Sequence, residues 1–165
     1  MIDKGGKLKP TISKSQKTIM SQQCWVDVFN AAGLPAAHEP DMPLWLRCHV
    51  PLCIGFESVA VVGELRGGGA SWGEAKLVAR GVKESFALIK GLGYQVYPKS
   101  KARISDLPTF VLTFMFWTFS RVKSMRELLA SGKEECKALI DRMVEAAPRA
   151  TPAVKIARIQ AIRPV

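Results

Sequence analysis

Apolar residues recur along this chain at intervals of three and four over long stretches, interrupted by proline and glycine, a pattern that predicts helices rather than strands. Residues 22–34 carry Trp25, Val28 and Phe29 and close on Ala31-Ala32-Gly33, which reads as a short helix with glycine at its C-terminal cap. Pro35, Pro40 and Pro43 punctuate the connector that follows, and Asp41 stands where a side chain caps the next helix, with proline close to the first turn. Residues 44–65 are apolar on most faces and too long for a strand, so they predict a central, largely buried helix that Gly55 and Gly63 weaken or open to a close neighbour.

The glycine-rich residues 66–73 predict a turn, and Ser71 is placed to cap a helix over residues 74–92. In that helix Val78, Val82, Phe86 and Ile89 recur along one face, and Gly91 and Gly93 end it. Residues 94–105 read as a mixed loop carrying Lys99, Lys101 and Arg103. Asp106 is expected to cap an aromatic helix over residues 107–119, with Pro108 in its first turn and Phe110, Phe114, Phe116, Trp117 and Phe119 supplying core or subunit interface. Residues 123–130 read as a short helix or as the end of the preceding one. Residues 133–147 predict a longer one, with Glu134 and Glu135 near its positive end and Pro148 as its stop. Residues 152–162, with Val154, Ile156, Ile159 and Ile162 as a partial stripe, predict the last helix. With no internal repeat and no set of strands in the pattern, the fold class is all-α.

Length and hydrophobic content (165 residues, 48%) suit one globular domain with a substantial core. The net charge of +10 favours anionic partners at long range and says nothing about fold. Lys4, Lys7, Lys9, Lys14 and Lys17 stand among Gly, Pro, Ser and Thr with few apolar side chains to bury, so residues 1–21 are expected to be a basic disordered arm and residues 22–165 the domain. The arm lacks the interleaved aromatics of a base-stacking surface, and nucleic-acid binding is not expected. Cys24, Cys48, Cys53 and Cys136 show no metal or disulfide spacing and read as buried thiols of a reducing cytoplasm, with no metal site. The apolar run at 107–119 is too short to span a bilayer, and Arg47, His49 and Glu57 interrupt the longer stretch at 43–63, so no membrane span is expected.

No Gly-x-Gly-x-x-Gly follows a strand, so no pyrophosphate cradle is encoded. There is also no Gly-x-Ser-x-Gly elbow and no His-Glu-x-x-His pair. What the residues do carry is an ordered set of shorter signals: Ala31-Ala32-Gly33-Leu34, then Asp41 with Trp45 and Arg47, then Glu84 with Gly91 or Gly93, then Ser124-Met125, Glu127 and Glu135, and finally Thr151-Pro152. In order and spacing these resemble the C-terminal half of the ketopantoate reductase (2-dehydropantoate 2-reductase) family, over roughly residues 26–163.

The resemblance implies a helical bundle like that family's C-terminal domain, of the 6-phosphogluconate dehydrogenase C-terminal-like kind, with the Rossmann domain absent. It implies a cytoplasmic oxidoreductase lineage of pantothenate biosynthesis that reduces a 2-keto acid to a 2-hydroxy acid with NADP. This chain alone is not expected to bind NADP, and a separate Rossmann subunit would have to hold it; a homodimer through the helical half is the default. By the same resemblance Arg47 stands at the catalytic lysine, Ser124 and Glu135 at substrate-binding positions, and Pro51 where an asparagine is expected. A guanidinium stays charged across the accessible pH range, so Arg47 can hold a carboxylate or oxyanion but is a poor proton donor. Two further readings follow from the residues: a non-catalytic helical module that dimerises or binds a partner, and an anionic-surface binder working through the lysine arm.

Overall fold

The connector between the first two helices contains a strand that the prolines around it concealed. In the computed structural model, which describes residues 17–164, β1 (Thr18–Met20) pairs in parallel with β2 (Ala36–His38) in the register Thr18↔Ala36, Ile19↔Ala37 and Met20↔His38. Helix α1 (Gln23–Ala31) is the crossover between them, as parallel neighbours require. The arm expected to reach residue 21 therefore ends in a strand, and its residues 1–16 lie outside the described residues. Gly33, at φ +74°, sits just past the end of α1, and the amide of Leu34 donates back to the Phe29 carbonyl at 2.9 Å, so the expected glycine stop is present. Asn30 then fastens the returning strand: its side-chain oxygen accepts from the Ala36 amide at 2.9 Å. Asp41 caps as expected, its carboxylate accepting from the Leu44 amide at 3.1 Å at the start of α2 (Met42–Leu65).

This strand-helix-strand segment belongs to one compact unit, which runs to Trp45; Leu46–Val165 form a second. In the second unit, α2 is followed by α3 (Trp72–Gly91), α4 (Lys99–Asp106), α5 (Thr109–Phe119) and α6 (Lys123–Leu129). A 3-10 turn at Ala130–Gly132 leads into α7 (Lys133–Ala146), another at Ala147–Arg149 follows it, and α8 (Ile156–Gln160) closes the fold. The described residues are thus predominantly helical, with two short strands.

The capping box at α3 is complete: Ser71 Oγ accepts from the Glu74 amide, and the Glu74 carboxylate accepts from the Ser71 amide. Val78, Val82, Phe86 and Ile89 are all buried, the stripe read from their spacing. α3 packs against α5 and α8, and α2 reaches the same core through Gly55, where an added Cβ would stand 2.6 Å from Val82 and 2.8 Å from Phe116. α2 is long and apolar enough by length and composition to cross a membrane, but 56% of its most apolar stretch is buried inside the fold, as in the core helix of a globular protein.

Three expectations need correction. Residues 99–106 are helix rather than loop; the buried face of α4 is made by Lys101 and Ser105, so a search for apolar periodicity passes over it. Asp106 does not cap α5. It ends α4 and receives hydrogen bonds from Lys90 Nζ at 3.0 Å and Ser105 Oγ at 3.1 Å, while Pro108 takes the position before α5. The aromatic residues of α5 divide between the two expected roles: Phe116 is fully buried core, whereas Phe110 and Phe114 are exposed, which leaves them to the subunit-interface alternative. The closing helix is shorter than residues 152–162, although Ile159 and Ile162 are buried as the stripe requires.

Candidate functional site

Arg47 lies on the first full turn of α2 within the second unit and stacks over the Tyr94 ring with its guanidinium carbon 4.8 Å from the ring centroid. It borders a cleft of about 560 Å³ between α2, the end of α3 and the last turns of α7. Val50, Leu88, Ile89, Leu139 and Met143 are among its apolar walls, and Arg142 and Arg149 join Arg47 as its charged members. Among the described residues no acidic side chain lines it.

A second group of side chains runs along α2 at four-residue spacing: His49, Cys53 and Glu57. The start of α7 meets it. Gly132 lies against the Glu57 side chain, with Glu57 Oε1 2.9 Å from where a Cβ would stand, so only a glycine admits the carboxyl there without displacement. Glu57 Oε2 is buried without a hydrogen-bond partner. Burial foremost, then the nearby Glu135 carboxylate, pushes the Glu57 carboxyl up to about 7, against the pull of a hydrogen bond with Cys136. Burial and Glu57 push the Cys53 thiol up to about 11, and burial also carries Cys136 up to about 11, so neither is a ready thiolate nucleophile. His49 is held below its ordinary value by burial and then by the buried Lys101.

A carboxyl titrating near neutrality can give and take a proton at working pH. It also has a stability signature. Below about pH 4.5 Glu57 is protonated in folded and unfolded chains alike; between there and pH 7 the unfolded chain loses the proton first, so stability falls as pH rises through this window and then levels. Glu57→Gln is expected to match the native protein near pH 4 and to exceed it by about 1 kcal/mol at pH 8, after allowing for solvent screening of a partly exposed side chain. Thermal melts across this range check it; equal gains at both pH values would mean that ionisation is not the cause.

Of the residues marked from sequence, Arg47 borders the cleft and Glu135 lies in the first turn of α7 beside Glu57, while Ser124 is exposed on α6 and lines neither place. Pro51 is buried inside α2, where it removes one backbone donor. Glu84 holds the approach to α8, accepting from the Lys155 amide at 2.7 Å and from Arg158 at 3.2 Å. Gly91 packs against the segment at Thr151, whose amide donates to the Gly91 carbonyl at 2.7 Å, so two elements of the sequence pattern meet in space. Cys24 is exposed, contrary to the expectation for it, while Cys48 and Cys136 are buried. Glu57, Arg142 and Arg149 were not singled out from sequence. The one signal in the sequence is an acid set among apolar residues in the middle of a helix, which the apolar pattern sets only against a membrane span.

Among the described residues the first crossover does not offer a dinucleotide cradle. The turn from β1 into α1 is Ser21-Gln22, without the glycine that lets a backbone approach a pyrophosphate, and α1 has no side-chain cap. Among the described residues no group of three or more His, Cys, Asp or Glu gathers into a metal site. Fold and site together define a helical domain with an arginine-bordered apolar cleft and, apart from it, a half-buried carboxyl raised toward neutrality. No family model, curated protein or solved structure matches the chain.

Proposed function

We propose that the chain is the substrate-binding and dimerisation half of a ketopantoate reductase-like, NADP-dependent oxidoreductase of the cytoplasm, with a helical bundle of the 6-phosphogluconate dehydrogenase C-terminal-like kind and with NADP carried by a separate Rossmann subunit. The observation that carries this reading is the parallel strand-helix-strand segment that leads directly into α2, with Arg47 one turn further on at the cleft. Parallel pairs belong to larger sheets covered by helices, and an isolated pair is marginal. In this reading Arg47 holds the carboxylate of a 2-keto acid at the cleft. The test is NADPH oxidation with 2-keto acids by the chain co-expressed with a Rossmann partner, beside the chain alone. Turnover is expected only with the partner and is expected to fall at least tenfold in Arg47→Gln; NADPH uptake by the lone chain would overturn the division of labour.

A second reading, a non-catalytic module that dimerises or binds a partner, is favoured by Arg47 in place of a titratable lysine, by Pro51, and by Ser124 not being among the residues that line the cleft. It predicts a dimer by light scattering and no turnover with any partner.

A further inference from the structure

We infer that the cleft between α2, α3 and α7 is a binding site of this chain for an amphipathic oxyanion, with a carboxylate-type head on Arg142, Arg149 and Arg47 and an alkyl or aryl body against the apolar walls. The site needs neither Ser124 nor Glu135, and the inference does not depend on any oxidoreductase activity. Its volume, about 560 Å³, falls within the range of small-molecule sites. Its charged members among the described residues are all of one kind, three guanidinium groups and no acid, with Leu88, Ile89, Leu92, Leu139, Met143 and Ala146 making most of the rest beside Tyr94. An apolar cleft walled this way gains from any body that displaces its water, and its charge selects against cations.

The arginines are disposed for a head group. The Arg47 guanidinium carbon stands over the Tyr94 ring, 4.8 Å from its centroid, a cation–π contact that uses none of its N–H donors on an acid. Arg142 spends one nitrogen on Glu145 at 2.9 Å, and that pair is exposed on both sides, so little is lost in exchanging it for a ligand. Arg149 follows α7 in the 3-10 turn Ala147–Arg149, and no acid pairs with it among the described residues. Lysine would offer charge without the planar fork, and all three positions are arginine.

Titration calorimetry of the full chain with hexanoate, octanoate and decanoate tests this, with acetate and octylammonium as controls. Affinity is expected to rise about threefold for each added methylene, acetate to bind at least a hundredfold more weakly than decanoate, and octylammonium not to compete. The double variant Arg142→Glu, Arg149→Glu changes two exposed side chains and is expected to keep its circular dichroism and melting profile while losing at least tenfold in octanoate affinity. The inference fails if octylammonium binds as well as octanoate, if acetate matches decanoate, if the folded double variant retains full affinity, or if decanoate shows no binding at millimolar concentration.

Discussion

Phe116→Ala is expected to destabilise the second unit by about 3–5 kcal/mol, the cost of deleting a fully buried aromatic ring and leaving a cavity. The ring is 0% exposed, sits edge-on to Phe56 with centroids 5.2 Å apart, and fills the space that Gly55 leaves open on α2. Its neighbours have few ways to close over the gap, because α2 and α3 already approach each other as nearly as a glycine allows there. A domain of this size holds only about 5–15 kcal/mol in all, so the variant is expected to be marginal at room temperature. The control lies on the same helix: Phe110, 68% exposed, is expected to tolerate alanine within about 0.5 kcal/mol. Urea midpoints of the two variants measure the contrast, and equal losses would mean that the opposite face of α5 is covered in solution.

Gly81→Val is expected to cost about 2–3 kcal/mol by overpacking, with the damage concentrated at α8. An added Cβ at Gly81 would stand 2.6 Å from Ile162 Cγ2 and 2.8 Å from the Arg158 carbonyl oxygen. Ile162 can rotate away, but the backbone at Arg158 cannot move without α8. Displacing α8 also disturbs the buried Ser58 Oγ, which donates to the Ile162 carbonyl at 2.6 Å. Tryptic cleavage after Lys155 and Arg158 is therefore expected to accelerate before the rest of the chain opens. Uniform cleavage across the chain would show that α8 is not the element that yields. Alanine's higher helix propensity makes Gly81→Ala the milder form of the same test.

Both experiments probe a core that was partly legible beforehand. The Val78, Val82, Phe86 and Ile89 stripe could be read because one face of α3 is buried and the other is not, and the Ser71–Glu74 box because its reciprocal bonds are local in sequence. α4 could not be read. Its inner face is polar, and what makes Lys101 and Ser105 buried is the rest of the fold rather than anything within the eight residues of the helix. The strand pair was hidden for a similar reason: three-residue strands carry too little alternation to register, and a parallel partner lies beyond a whole helix in the chain. The candidate site divided in the same way. Arg47 and Glu135 were marked by their place in an ordered pattern, whereas Glu57 acquires its near-neutral carboxyl only from burial and from Glu135, which is far away along the chain.

By itself the sequence determined a predominantly helical chain, the caps that start and stop its principal helices, and the glycines between them, because each of these depends on interactions within a few residues. Tertiary structure alone decided which faces of α5 are core, that Arg47 shares a cleft with Arg142 and Arg149, and that two carboxyls separated by about half of the chain come near each other where Gly132 leaves room. Those outcomes depend on long-range packing and on the desolvation and charge proximity it creates, and neither quantity exists until distant segments are brought together.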